Sequence, residues 1–398
     1  MPSDENQEGK KKRAFAMHVI ILLGVVSLLG DITYEGARSV TGPYLALLGA
    51  SAAIVGFISG LGEFIGYALR LVSGYLADKT ERYWLMTFIG YGLLISIPLL
   101  AFAGRWEIAA ILLISERMGK AIRSPSRDAI LSHATKQVGR GWGFAIHEAM
   151  DQIGAIIGPL LFTLVFLLNG SYENGFALLL IPVVFMIAIL FLAKRKVPSP
   201  AKLESEDVEK SNGEKRLPRI FWIYTAFIIL AVAGFANFQL ISYHLKTSSI
   251  VSDAELPLFY ALAMGVDGLV ALIIGKFYDK AGMRSLTLIP LLTIPIPFLA
   301  FTTSYSLVLL GVVLWGAVMG IHETIMRAAI ADMSPVQRRG LAYGIFNTAY
   351  GASWLLGGTV MGLLYEISIS WIALFAVIAQ LVSIPLLYLM RKTPSGKT

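Results

Sequence analysis

The chain of 398 residues contains no cysteine, so disulfide bonds and thiolate metal ligands are excluded. Its five histidines include no pair spaced four residues apart, and no loop of the nucleotidase kind is present to cradle a phosphate. Charge is scarce as well, since 15% of the residues are charged and 56% are hydrophobic. A typical soluble domain carries about 25% charged residues. We therefore expect a membrane protein with no enzymatic activity, no metal site and no cofactor.

Long apolar runs dominate the sequence. A helix needs about 20 largely apolar residues to cross a bilayer, and the sequence predicts twelve such spans. In chain order they cover residues 15–47, 52–77, 83–104, 107–133, 140–168, 173–193, 219–246, 255–278, 283–303, 306–332, 338–366 and 369–390. The first run is too long for a signal-peptide core, so we interpret it as an uncleaved helix.

Basic residues indicate the orientation of these spans. With the N-terminus inside, the internal segments hold 23 of the 33 Lys and Arg residues, and the external loops hold Arg105 and Lys246. This asymmetry predicts that both termini are cytoplasmic. The net charge of +7 follows from the same distribution at the ends of spans, so we expect a lipid bilayer and not nucleic acid as the partner.

The sequence predicts an all-α polytopic protein with two pseudo-symmetric six-helix bundles. Motifs repeat at offsets of 201, 200 and 199 residues, as when Arg127 is matched with Arg327. Two like halves suggest a pseudo-two-fold axis along the membrane normal, with a site between them. The predicted parts are a cytoplasmic tail (1–14), an N-terminal bundle (15–193), a polar cytoplasmic linker (194–218), a C-terminal bundle (219–390) and a cytoplasmic tail (391–398).

Charged side chains recur in the fourth span, where a bilayer makes them costly. Four of them, spaced 4, 3 and 4 residues apart, share one helix face: Glu116, Lys120, Arg123 and Arg127. Arg117 and Lys120 lie roughly 15–20 Å from the start of the span, near the middle of a core about 30 Å thick. A charge there costs about 2.5–3.5 kcal/mol on insertion scales. We expect these groups to face a wet cavity or paired acids.

The loops after the second and eighth spans resemble the signature loops of the major facilitator superfamily. The matching residues are Gly74, Asp78, Lys79 and Arg82 in the first loop, and Gly275, Asp279, Lys280 and Arg284 in the second. Arg117 falls where drug–proton antiporters of this family carry an arginine in helix 4. Gly154, Gly158 and Pro159 are similar to their helix-5 motif, although two leucines follow here. The whole chain looks closest to prokaryotic efflux permeases.

This resemblance implies a monomeric transporter in the prokaryotic cytoplasmic membrane, with a cavity lined by helices 1, 4, 7 and 10. It also implies a cytoplasmic gate, to which we add residues near the same ends of the fourth and tenth spans. The predicted gate residues are Gly74, Asp78, Lys79, Arg82, Arg127, Asp128, Asp279, Arg284 and Arg327. The predicted substrate-cavity residues are Tyr34, Arg117, Lys120, Arg123, Asn237, Gln239 and Glu323.

Proton coupling needs a carboxylate whose proton affinity changes with access and with a nearby cation. The candidates are Asp31 and Glu35 in the first span and Glu148 and Asp151 in the fifth. The alternative for all the intramembrane charges is a purely structural ion-pair network between these acids, Glu116 and the fourth-span bases. Two further acids, Glu63 and Asp267 in the second and eighth spans, are interpreted as polar contacts at the interface between halves.

These patterns predict a secondary active transporter that works by alternating access, with a small molecule as substrate and protons as the coupling ion. Export of an organic anion or of an amphipathic drug-like molecule is the favoured hypothesis. Import of an anionic metabolite is the alternative within transport. A membrane receptor that binds but transports nothing is the alternative from another class.

Overall fold

The computed structural model describes residues 4–135, 138–198, 217–335 and 338–392, and every regular element in these ranges is a helix. Most of the predicted linker (194–218) lies outside the described residues, as do residues 1–3 of the predicted N-terminal tail and 393–398 of the predicted C-terminal tail. The first helix begins at Asp4, so it extends into the predicted N-terminal tail.

The N-terminal half is a series of helices that covers the six spans predicted between residues 15 and 193. They are α1 (Asp4–Leu47), α2 (Ala52–Thr80), α3 (Tyr83–Gly92), α4 (Ser96–Leu99), α5 (Trp106–Thr135), α6 (Arg140–Leu167), α7 (Tyr172–Leu178) and α8 (Leu180–Lys196). The third span is a chain of short pieces, because 3₁₀ turns at Leu93–Ile95 and Leu100–Phe102 interrupt its α-helical bonding.

The C-terminal half repeats this order. Its helices are α9 (Arg219–Ala233), α10 (Phe238–Thr247), α11 (Glu255–Ala281), α12 (Leu288–Thr293), α13 (Ile296–Ala300), α14 (Tyr305–Met333), α15 (Arg339–Ile367) and α16 (Ile369–Lys392). The ninth predicted span is fragmented like the third one. It starts with a 3₁₀ segment, Gly282–Thr287, and its prolines at 290, 295 and 297 each remove a backbone N–H.

The seventh predicted span is broken between α9 and α10, where the sequence predicts one uninterrupted helix over 219–246. The side chain of Asn237 accepts a hydrogen bond from Leu240 N at 2.8 Å and so caps α10. The indole nitrogen of Trp315 donates to the carbonyl oxygen of Ala236 at 2.8 Å. These two bonds satisfy backbone groups that the break would leave unpaired in an apolar interior.

The two halves meet most closely where α2 packs on α15 and α1 packs on α10. A Cβ atom on Gly56 would overlap the carbonyl oxygen of Gly358, and one on Gly362 would lie 2.6 Å from the carbonyl oxygen of Ala52. A Cβ on Gly42 would likewise overlap the carbonyl oxygen of Gln239. Glycine at these positions lets the backbones of the two halves touch, as small residues do between membrane helices.

The outer surface of the bundle is apolar. Side chains such as Phe102, Leu168 and Leu272 are 80%, 72% and 72% exposed. Within the described ranges, nine helical stretches are long and apolar enough to cross a membrane, one of which runs from Glu255 to Ala300. Helix α5 is not among them, because its charges are too dense. Helix α5 can therefore lie within the membrane only if these charges face the interior of the bundle and not the lipid.

Candidate functional site

A pocket of about 170 Å³ lies between the two halves, bordered by α1, α2, α5, α6, α11 and α14. We call it the central pocket. Its charged lining residues are Asp31, Glu35, Asp128, Glu148, Asp151, Asp267 and Glu323 with Arg38, Arg70, Lys120, Arg123, Arg127 and Arg327. Most small-molecule pockets are lined mainly by apolar side chains. The central pocket is instead a mixed ionic chamber inside an apolar bundle.

All four predicted proton-coupling acids line the central pocket. Asp151 makes two ionic contacts at this site. Its Oδ2 lies 3.8 Å from Nη1 of Arg127 and 3.4 Å from Nδ1 of His147. Among the described residues, Asp31 and Glu148 have no basic group within 4 Å. The structure thus brings the predicted acids together, and the permanent pairing considered for the fifth span applies to only one of its two acids.

Glu35 joins the two halves of the molecule. Its Oε2 accepts a 2.6 Å hydrogen bond from the hydroxyl of Tyr260, which is fully buried on α11. Its Oε1 lies 4.0 Å from Nη1 of Arg38. Because α1 belongs to one half and α11 to the other, the Glu35–Tyr260 bond depends on how the halves are placed relative to each other.

Glu63 holds two arginines in the interior. Its Oε1 lies 3.0 Å from Nη2 of Arg38 and 3.1 Å from Nη2 of Arg117, and the residue is 8% exposed. Arg117 also lies 3.7 Å from Glu116, which in turn is 3.5 Å from Arg123. The interpretation of Glu63 as a polar contact between halves is not what the structure shows, since its partners are on α1 and α5 of its own half.

Tyr34 lies at the centre of the fourth-span bases. Its hydroxyl accepts hydrogen bonds from Arg38, at 2.9 Å, and from Arg117. Nζ of Lys120 lies 4.0 Å from the centre of the Tyr34 ring. Within the described part of the chain, Lys120 has no carboxylate within 4 Å. Its charge is therefore stabilised by an aromatic face and remains available to the pocket.

Two smaller pockets adjoin the Tyr34 cluster. One of about 40 Å³ is lined by Tyr34, Arg117, Lys120 and Glu323, and one of about 30 Å³ includes Gln239. The structure thus places six of the seven predicted substrate-cavity residues at these pockets or at the central one. The seventh, Asn237, is 2% exposed and caps α10 instead.

Asn237→Ala is expected to lower the free energy of unfolding by about 0.5–2 kcal/mol, because it removes the cap of α10. Thermal or chemical unfolding of the purified protein measures this loss. Asn237→Ser keeps an oxygen at the capping position and should recover most of the stability. Equal losses in both variants would show that the amide acts through some contact other than the cap.

A larger cavity of about 520 Å³ opens at the end of the bundle that carries the α2–α3 turn. We call it the end cavity. It is lined by Arg70, Leu71, Gly74, Tyr75, Asp78, Ser124, Pro125, Asp128, Arg327, Gly340, Tyr343, Gly344 and Asn347. Four of the nine predicted gate residues are therefore at this opening. Arg127 is not, because it points into the central pocket and donates to Ser27 Oγ at 2.6 Å.

The other predicted gate residues lie at the same end without lining the end cavity. Lys79, Arg82, Asp279 and Arg284 are all exposed. Asp78 accepts a 3.3 Å hydrogen bond from the hydroxyl of Tyr83. The structure therefore presents these charges on the surface around the opening, with Asp78 also facing the cavity.

The opposite end of the bundle, which carries the α1–α2 loop, is closed by contacts between the halves. Asp253 accepts a 2.7 Å hydrogen bond from the hydroxyl of Tyr172 and lies 2.5 Å from Nζ of Lys246. Nearby, Oε1 of Glu366 accepts a bond of 3.1 Å from Ala53 N. In the described part of the chain, contacts between the halves thus hold this end together, whereas at the other end the central pocket and the end cavity share lining residues.

Three important lining or contact residues were not assigned to the site from the sequence. Arg70 lines both the central pocket and the end cavity, and its position inside an apolar span was the available signal. Asp267 is 2% exposed and lines the central pocket, so its interpretation as an interface contact is incomplete. Tyr260 carried no signal, because a tyrosine in a membrane helix is usually a packing residue.

The fold and the site define a class: a multi-pass helical membrane protein with a polar pocket between two similar halves. A family model described as the Major Facilitator Superfamily matches residues 20–294 and 244–398. The chain belongs to the major facilitator superfamily, whose members are membrane transporters and not enzymes.

Relatives extend over almost the whole chain. An uncharacterised protein of Mycobacterium tuberculosis is 40% identical over 94% of this chain and 93% of its own length. An uncharacterised MFS-type transporter of Methanocaldococcus jannaschii is 28% identical over 92% of both. Among solved structures, the nucleoside transporter NupG aligns with a TM-score of 0.71 over 94% of this chain and 98% of that one, at 15% identity. This last likeness concerns the fold alone.

Proposed function

We propose that the protein is a secondary active transporter that exports a small organic compound in exchange for protons. The observation that carries the proposal is one-sided access. Arg70, Ser124, Asp128 and Arg327 line both the central pocket and the end cavity, whereas hydrogen bonds between the halves close the other end. A site that opens to one side at a time is what alternating access requires.

The proposed topology has twelve transmembrane helices with both termini in the cytoplasm. The 23-to-2 distribution of basic residues supports this orientation. The end cavity then opens to the cytoplasm. Bundles 15–193 and 219–390 form the two moving halves, joined by the cytoplasmic linker 194–218 and flanked by the cytoplasmic tails 1–14 and 391–398. We place the protein, as a monomer, in the prokaryotic cytoplasmic membrane.

We assign the closing of the end cavity to charges on its two sides. Asp128 on α5 and Arg327 on α14 line it from opposite halves. Rocking of the halves would bring them together, and an ion pair shielded from water is stronger than one in solution. The exposed charges around the opening (Asp78, Lys79, Arg82, Asp279 and Arg284) are proposed to complete this gate.

Glu35 and Asp151 are the proposed proton carriers. The Glu35–Tyr260 bond crosses from one half to the other, so rocking breaks it and changes the surroundings of the carboxylate. Asp151 has Arg127 at 3.8 Å, and any change in that distance alters its proton affinity. Arg38 lies 4.0 Å from Glu35, and the other charged groups near these two acids in the central pocket include Asp31, Lys120, Glu148 and Asp267.

Export is favoured over import by partial relatives. The class H tetracycline resistance protein of Pasteurella multocida is 27% identical over 33% of this chain and 34% of its own length. The multidrug resistance protein MdtH of Photorhabdus laumondii is 25% identical over 50% of this chain and 49% of its own. From these relatives we infer only the direction of transport, and no substrate.

The test is transport by the purified protein in proteoliposomes. A compound chosen by thermal shift from a panel of anionic and drug-like molecules is followed under a pH gradient and in counterflow without one. Glu35→Gln and Asp151→Asn are expected to abolish the response to the gradient and to retain counterflow. Glu107→Gln serves as the control, because this acid is exposed and pairs with Arg105 away from the pocket.

Three outcomes would contradict the proposal in different ways. Full pH dependence in both variants would refute the assignment of the acids. Movement of the compound in the direction opposite to export would indicate an importer. Binding without any flux would indicate a receptor.

A further inference from the structure

Several carboxylates of the central pocket have no basic side chain close to them. Among the described residues, four acids of this pocket have no basic group within 4 Å: Asp31, Glu148, Asp267 and Glu323. Two of these, Asp267 on α11 and Glu323 on α14, belong to the C-terminal half. The wall formed by that half therefore carries two acids without close basic partners, and Arg327 lines the pocket from the same half.

Asp267 is the most constrained of the four. It is 2% exposed, and its Oδ1 has no hydrogen-bond partner among the described residues. A Cβ on Gly320 would lie 3.0 Å from that oxygen, so α14 packs directly against the side chain. Glu323, Glu35 and Glu148 line the same pocket, so Asp267 shares its surroundings with three other acids. A buried carboxylate among other acids is costly unless something positive binds beside it.

The opposite wall carries cations without close partners. Lys120 on α5 and Arg70 on α2 line the central pocket, and neither has a carboxylate within 4 Å in the described ranges. Each is held against an aromatic ring: Lys120 at 4.0 Å from the centre of Tyr34, and Arg70 at 4.6 Å from the centre of Tyr67. Both residues belong to the N-terminal half. Within these ranges, the pocket thus contains groups of both signs without close partners: Lys120 and Arg70 with Asp31 and Glu148 on the N-terminal half, and Asp267 and Glu323 with Arg327 on the C-terminal half.

We propose that the central pocket binds a small zwitterion, with its amine or guanidinium group against Asp267 and Glu323 and its carboxylate against Lys120 and Arg70. This inference rests on the proposed function and narrows its substrate class. A simple organic anion leaves Asp267 and Glu323 unpaired. A large amphipathic compound leaves both walls unpaired, and it finds few apolar lining residues to pack against.

The volume of the pocket limits the size of this zwitterion. An engineered cavity of about 150 Å³ holds one benzene molecule. The central pocket, at about 170 Å³, therefore accommodates a molecule of roughly amino-acid size in this conformation. A ligand of this length reaches from one half to the other, so its binding joins the two walls that rocking moves.

The test measures binding to the full-length purified protein with probes of matched skeleton. Binding of small α- and ω-amino acids is measured by thermal shift. Each amino acid is compared with two analogues of the same skeleton: the amine, which lacks the carboxylate, and the carboxylic acid, which lacks the amino group. At least one amino acid is expected to bind, with its amine and its acid each about tenfold weaker or more. If the best binder is a carboxylic acid or an uncharged amphiphile, or if no amino acid binds, the assignment is overturned.

Variants of the lining residues test which side chains contact the amino group of the ligand and which contact its carboxylate. Asp267→Asn is expected to weaken the amino acid about tenfold and leave the matched carboxylic acid unchanged. Lys120→Gln is expected to weaken the amino acid and the carboxylic acid and leave the matched amine unchanged. Unaltered binding of one probe in each variant shows that the protein is folded. Equal losses for every probe, or none in either variant, would refute the orientation.

Transport of the same probes separates this inference from the proposed function. Selective binding of amino acids without flux would refute transport and leave the zwitterion site standing. Flux of an anion that binds better than any amino acid would support transport and refute the zwitterion site.

Discussion

Replacing Glu63 by glutamine is expected to lower the free energy of unfolding by about 3–5 kcal/mol. The carboxylate lies 3.0 Å from Arg38 and 3.1 Å from Arg117, and all three side chains are about nine-tenths buried. Glutamine has nearly the same shape but no charge. The variant therefore leaves two buried guanidinium groups facing one another, with only the longer contacts to Glu35, at 4.0 Å, and to Glu116, at 3.7 Å. This loss is far costlier than that of an exposed pair.

Unfolding in detergent micelles, by heat or by denaturant, measures this loss. Glu107→Gln is the matched control, since it makes the same chemical change in an exposed pair, with Arg105 at 2.9 Å. We expect its unfolding midpoint to stay close to that of the wild type. Glu63→Asp keeps the charge and should fall between the two. If Glu63→Gln unfolds like the control, then the two arginines are stabilised by groups other than this carboxylate.

The positions of the helices follow closely from the sequence, because the physics that sets them is local. An apolar run of about 20 residues bounded by charged or turn residues crosses a bilayer as a helix, because its backbone groups must be satisfied within the segment. The span predicted over 52–77 is the helix Ala52–Thr80, and the span predicted over 306–332 is Tyr305–Met333. The fragmentation of the ninth span has its cause in local prolines, which the sequence also displays.

The break before α10 could not be predicted in the same way. The residues from Gly234 to Asn237 include no proline, and their composition suits a membrane helix. The break is stable because Trp315, about 80 residues later, donates to the carbonyl oxygen of Ala236. A local pattern carries no information about a partner so distant in the chain.

For the site, the sequence predicted which charges gather but not how they pair. Helical spacing places Arg117 and Lys120 on neighbouring faces of α5, and both reach pockets in the interior. Their partners depend on the rotation and tilt of adjacent helices, which periodicity does not fix. For this reason Glu63 was assigned to the interface between halves, although it holds Arg117, and Asp267 was not assigned to the pocket that it lines.

Replacing Gly56 by alanine is expected to favour opening of the end that carries the α1–α2 loop by about tenfold or more. A Cβ on Gly56 would overlap the carbonyl oxygen of Gly358, an atom of the other half that no side-chain rotation can move away. A factor of ten corresponds to about 1.4 kcal/mol, which is modest for a clash of this kind between backbones. The clash exists only while α2 and α15 touch, so the open arrangement relieves it.

The absence of cysteine makes this shift measurable with single cysteine reporters. Ser59→Cys reports the closed end, because Oγ of Ser59 is buried and borders the pocket of about 30 Å³. Ser124→Cys reports the end cavity, which Ser124 lines. In Gly56→Ala purified in detergent, where both ends are accessible to a polar maleimide, labelling should become faster at residue 59 and slower at residue 124.

The opposite signs of the two changes distinguish a shift between conformations from a loss of structure. Partial unfolding would speed up labelling at both reporters, and it would count against the prediction, as would two unchanged rates. Gly265→Ala is the control, because no atom lies within 4 Å of a Cβ placed there. Since alanine favours a helix over glycine by about 1 kcal/mol, this control should be as stable as the wild type or more so, with both labelling rates unaltered. A shift confined to Gly56 would then follow from the contact between halves and not from helix propensity, which is the same gain in both variants.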